Sequence, residues 1–129
     1  MNNRVKEILC NSIIHIDIGK RRYAGDEDVY EKNLRRFAGD LDFAAIESSL
    51  KAGDYYKAEL LSQRLKLKAY NLGMIRLAKS CEALSLSIQS GKGAPGFETE
   101  MRDVTVVYGI MRECIDKAFT EEAQKPPKG

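Results

Sequence analysis

The chain has 129 residues, with 21 basic and 19 acidic side chains and a net charge of +2. That length can bury one core without staples, and the absence of a basic stripe argues against a dedicated nucleic-acid binder. Three cysteines, one histidine and no Cys-x-x-Cys pair argue against a disulfide framework or a zinc site and fit reduced thiols in the cytoplasm.

There is no charged-then-apolar leader and no apolar run near the roughly 18 residues that a membrane helix needs. Apolar residues recur at helical rather than strand period almost throughout, so the reading is an all-α cytoplasmic domain with no membrane segment, metal or cofactor. Val5, Ile8 and Leu9 predict an N-terminal helix, and Ile13 to Ile16 a packed connection with a strand-like alternative. Asp17 is placed to cap a short helix after it. A long helix is predicted from about Asp26 to Leu50, carrying Val29, Tyr30, Leu34, Phe37, Leu41, Ala45 and Leu50 and bent at Gly39, where glycine costs about 1 kcal/mol against alanine. Gly53 closes it and Asp54 caps the next helix. Gly73 marks a turn or tight backbone contact before a helix over Ile75 to Ser90. Gly91 to Gly96, with Lys92 and Pro95, reads as a loop. The last helix is expected from Phe97, with Met101, Val104, Tyr108, Met111, Ile115 and Ala118 on one face. Within it, packing has to overcome the strand propensity of Thr105-Val106-Val107. The expected organisation is one domain over 1–120 and a disordered tail over 121–129.

The stretch from Ser62 to Gly73 carries the strongest signal. It resembles the signature helix of histidine-containing phosphotransfer (HPt) domains, which reads Ala-His-x-Leu-Lys-Gly-x-x-x-Asn-hydrophobic-Gly. Leu65, Lys66, Asn71, Leu72 and Gly73 match that signature, and Gln63 stands at the position of the phosphorylated histidine. Ile16 to Gly19 and Arg22 to Asp26 resemble the family's lead-in helix and Gly-Asp turn. Tyr30, Leu34 and Phe37 resemble its second helix, Ala52-Gly53-Asp54 the turn before the signature helix, and Leu77, Cys81, Glu82 and Leu84 the helix after it. The resemblance covers about residues 16 to 119. It implies an antiparallel up-and-down four-helix bundle with added N-terminal helical segments, placed in a two-component phosphorelay.

A helix advances about 100° per residue. Centring one face on Leu65 gathers Ala58, Leu61, Ala69 and Leu72 within about 40° and leaves Tyr56, Leu60, Gln63, Leu67, Tyr70 and Met74 on the opposite side. Lys57, Arg64, Lys66 and Lys68 lie between the two. In the HPt family the outward face is where receiver domains dock. The expected protein-binding set is therefore Tyr56, Leu60, Gln63, Arg64, Lys66, Leu67, Tyr70 and Met74. Two alternatives stay open: cover by the chain's own segment Met1 to Ile14, and closure of the face by a second copy as a homodimer.

Three departures from the family pattern bear on chemistry. A glutamine amide nitrogen has its lone pair delocalised and is no phosphoryl acceptor, although the group still donates and accepts hydrogen bonds. Leu67 replaces the glycine that gives a receiver backbone room, and Lys68 replaces a small residue. Lys66 matches the lysine that the family keeps near the phosphoryl group, with a solvent-facing lysine as the plainer reading. His15 is read as a partly buried, hydrogen-bonded side chain, and Cys10, Cys81 and Cys114 as small core residues. Asp26, Glu27, Asp28 and Glu31 are read as a helix first turn, where the dipole favours negative charge. The expectation is no enzyme and no catalytic residue: an HPt-like adaptor that binds a response-regulator receiver domain or a hybrid histidine kinase without accepting phosphate.

Overall fold

The computed structural model describes residues 1–11, 13–91 and 93–124, the side chains of residues 94 and 121–124 excepted. Seven helices and no strand occur among the described residues: α1 Asn3–Asn11, α2 Ile16–Arg22, α3 Glu27–Phe37, α4 Asp42–Lys51, α5 Tyr55–Asn71, α6 Ile75–Gln89 and α7 Ala94–Gln124. The expected all-α class is what the chain adopts, and the strand-like alternative at Ile13 to Ile16 is not taken. No helix is long and apolar enough to cross a membrane among the described residues.

Helix starts follow local side-chain chemistry. The Asn2 carboxamide oxygen accepts from Val5 N at 2.9 Å, and the Asp26 and Asp54 carboxylates accept from Val29 N and Lys57 N, each at 3.1 Å. Each bond satisfies a first-turn amide that has no partner inside its helix. Asp17 does not cap α2; His15 holds the N-cap position without a side-chain hydrogen bond, and Asp17 sits in the first turn.

The single helix expected from Asp26 to Leu50 is two. α3 stops at Phe37, and Asp40 starts α4 by accepting the Asp42 N–H at 2.8 Å. The break resets the helical phase, which is why Leu41, expected on the buried side, is 77% exposed. The final helix begins at Ala94 rather than Phe97, because Pro95 falls in a first turn where no intrahelical amide is needed. It is 31 residues long, about 46 Å, and runs through residues 121–124 of the expected tail. Residues 125–129 of that tail, like Lys92, lie outside the described residues. The run Thr105-Val106-Val107 is helical within α7, with Val107 fully buried and Val106 exposed, so the helix holds despite the run's strand propensity.

α5 is flanked by α4 on one side and α6 on the other, α6 packs against α7, and α1 lies along α7 with a smaller contact to α2. The core runs through Leu9, Tyr30, Leu34, Ile46, Leu65, Leu77, Leu84, Met111 and Ile115. Tyr108 on α7 joins the two halves of the interrupted segment: its ring stacks on Phe43 at 4.3 Å and tilts against Phe37 at 5.6 Å. Cys81 is buried, which pushes its thiol up to about 12, and Cys114 is buried beside α1. Cys10, expected in the core, is exposed.

Candidate functional site

α5 supplies two unlike faces. Ala58, Leu65 and Ala69 are fully buried, with Leu61 and Leu72 nearly so. This is the stripe centred on Leu65. On the opposite side Tyr56 is 75% exposed, Leu60 47%, Leu67 58% and Tyr70 40%. Gln63 is exposed at the middle of that face. Four large apolar groups therefore line an uncovered helix face, which is uncommon for a helix whose other side already packs.

The described residues of the N-terminal segment do not cover it, since α1 is engaged with α7 and α2. Among the described residues, the end of the face is touched from within the chain, where the Arg22 guanidinium lies 4.0 Å above the Tyr70 ring. Met74 does not belong to the face. α5 ends at Asn71, the left-handed Gly73 reverses the chain, and Met74 is carried into the core at the N-terminus of α6. Its helical phase held only as long as the helix did.

Charges that lie between the two faces are tied down. Arg64 donates to Asp42 through Nε at 3.0 Å and a terminal nitrogen at 2.5 Å, and Lys68 Nζ reaches Asp40 at 2.5 Å and Asp42 at 2.6 Å. Asp42 is buried. Burial opposes its ionisation, but the hydrogen bonds from Arg64 and Lys68 outweigh that and hold its carboxyl below the usual value. Hydrogen bonding to Asp42 raises Arg64 in return; for Lys68, the two aspartates overcome an opposing desolvation and raise it too. On the other flank Lys66 extends across to Glu82 of α6 at 3.9 Å. Reading α3 and α4 as one helix hid the two aspartates; the Gly39-Asp40 pair, a common turn signal, could have revealed them.

Gln63 occupies a polar cluster of its own. Its side-chain amide donates to Glu59 one turn back, and the same carboxylate oxygen accepts from Gln89 at 2.5 Å and Ser85 at 3.4 Å, both on α6. An amide held by a carboxylate can orient a partner through hydrogen bonds. It has no nucleophilic atom to offer.

The C-terminal end of α5 is fixed from below. Tyr30 Oη donates to Leu72 O at 2.8 Å, and His15 N donates to Gly73 O at 2.9 Å. Gly19 packs where an added Cβ would sit 2.2 Å from the Tyr30 ring. His15 thus contributes its backbone, while the residue is exposed rather than partly buried as expected. Glu27 in the acidic first turn of α3 lies 3.0 Å from Lys6, 3.5 Å from Lys20 and 3.2 Å from the Met1 amino group. Hydrogen bonds from Lys6 and that amino group lower its pKa to about 2 against a smaller opposing burial. No group of three or more His, Cys, Asp or Glu side chains is placed to hold a metal among the described residues.

The chain matches no protein-family model, no curated protein and no solved structure.

Proposed function

We propose that this chain is a non-catalytic, HPt-like adaptor of phosphorelay signalling. On this reading its helices form the family's antiparallel four-helix core, and the outer face of α5 docks a receiver domain or a hybrid histidine kinase in the cytoplasm without taking phosphate. The observation that carries the reading is the open α5 face with Tyr56, Leu60, Leu67 and Tyr70 exposed around Gln63. The residues matching the HPt signature support it, since Leu65, Leu72 and Gly73 all serve the packing and turn that such a helix needs.

Binding without transfer follows from two features. Gln63 offers an amide in place of an imidazole, and Leu67 one turn on adds apolar bulk where the family has glycine. Apolar anchors near the centre of a face contribute most of the binding energy, while Arg64 and Lys68, already bound to Asp40 and Asp42, would act chiefly on association rate. The adaptor would compete with, or scaffold, true phosphotransfer.

The test is to incubate the protein with receiver domains carrying radiolabelled aspartyl phosphate. Complex formation without label on this chain is expected. Acid-labile or base-stable phosphate retained on it would overturn the reading, and loss of that label in His15→Ala would identify the acceptor.

A further inference from the structure

Along α5 the exposed residues Tyr56, Leu60, Gln63, Leu67 and Tyr70 are spaced by four, three, four and three. This is the a/d period of a coiled-coil seam, with Leu60 and Leu67 at a and Tyr56, Gln63 and Tyr70 at d. The order Tyr, Leu, Gln, Leu, Tyr also reads alike in both directions. A face of that kind can meet its own copy across a twofold axis, where each half must complement the other.

The charged flanks agree with one orientation. Glu59 and Lys66 occupy the two g positions beside the seam. When two such helices run antiparallel, g positions face g positions, so Glu59 of one copy lies opposite Lys66 of the other, twice per dimer. On the opposite flank Arg64 would approach its own copy, but each guanidinium is already neutralised by Asp42 of its own chain. A polar residue within an apolar seam fixes register, and Gln63 stands at the centre.

We infer that the outer face of α5 pairs with a second copy of this chain, antiparallel about Gln63. The self-pairing stands on the seam and its flanking charges alone. Its consequence, that the dimer is closed to receivers and only the monomer is competent, rests on the adaptor reading.

Disulfide trapping in a Cys10→Ser background tests the pairing, because Cys81 and Cys114 are buried. Gln63→Cys should cross-link to itself. Tyr56→Cys should not, yet should cross-link to Tyr70→Cys when the two are mixed. Leu67→Glu should weaken self-association about thirtyfold. Glu59→Lys and Lys66→Glu should each weaken it and the double exchange restore it, with thermal melts confirming that each variant folds, since Glu59 also holds Gln63, Gln89 and Ser85. A wild-type chain that sediments as a monomer at millimolar concentration overturns the inference, as does self-cross-linking of Tyr56→Cys. Receiver binding separates the two claims: cross-linking as expected, with no receiver bound by the untrapped chain when dilute and monomeric, refutes the adaptor alone, and a chain that stays monomeric at millimolar concentration yet binds receivers refutes the pairing alone.

Discussion

Gly73 and His15 are in direct backbone contact. The His15 N–H donates to the Gly73 carbonyl at 2.9 Å, and a Cβ on Gly73 would lie 2.2 Å from the His15 carbonyl oxygen. Gly73 also has φ +80, a left-handed conformation that costs a side-chain-bearing residue energy whatever the space. The lead-in segment before α2 is thereby joined to the end of the helix that bears the candidate site, 58 residues later in sequence (73 − 15).

Gly73→Ala should therefore destabilise the fold by about 2 kcal/mol or more. Gly53→Ala is the matched control, with φ +75 and open space around the added methyl, and should cost about 1 kcal/mol. Urea denaturation of both variants checks the contrast. Equal losses would mean that the contact with His15 adds nothing beyond the left-handed backbone.

Asp42→Asn should destabilise by about 2 kcal/mol, because it weakens charge-assisted hydrogen bonds to both Arg64 and Lys68 at a buried position. Arg64→Ala should cost clearly less, since Lys68 continues to compensate the carboxylate. Paired melts of the two variants decide this.

Acid should unfold the protein through identifiable carboxyls. A carboxyl whose pKa is lower in the folded state stabilises above its unfolded pKa, and the contribution disappears as pH falls through the folded one. Glu27 is held at about 2 and Asp42 below its usual value. Stability should consequently decline as pH falls from about 4.5 to 2 and change little between about pH 4.5 and 7. The measurement is the melting temperature against pH for wild type, Glu27→Gln and Asp42→Asn, with a shallower acid limb in each variant. An unchanged limb in both would assign the acid sensitivity elsewhere.

The two faces of α5 should separate stability from binding. Leu65→Ala, in the core, should cost about 2–5 kcal/mol of folding free energy. Leu67→Ala should change stability by less than about 0.5 kcal/mol while removing about 2 kcal/mol of partner affinity. If Leu67→Ala melts as early as Leu65→Ala, the outer face is structural and cannot be a docking surface.

Much of this was legible in the sequence where a pattern was local and its helix continuous. The Leu65 stripe, the Asp54 cap and the tight contact at Gly73 follow from periodicity, capping chemistry and glycine geometry. Misreadings arose where a break shifted the phase. Treating α3 and α4 as one helix placed Leu41 in the core and hid Asp40 and Asp42, and extending α5 past Asn71 placed Met74 on a surface it never reaches. The ion pairs of Arg64 and Lys68 leave no sign in the helical pattern because their partners lie 22 and 26 to 28 residues away, beyond any helical spacing. His15 shows the same limit, since a backbone contact with Gly73 leaves no trace in side-chain pattern.

The most direct test of the central claim is a titration of isotope-labelled protein with receiver domains, followed through backbone amide resonances. The account predicts a saturable complex whose perturbations concentrate on α5 around Leu60, Gln63 and Leu67 and vanish with Leu67→Ala while the free variant keeps its native spectrum. Perturbations centred away from α5, or no binding by any receiver up to millimolar concentration, would contradict it.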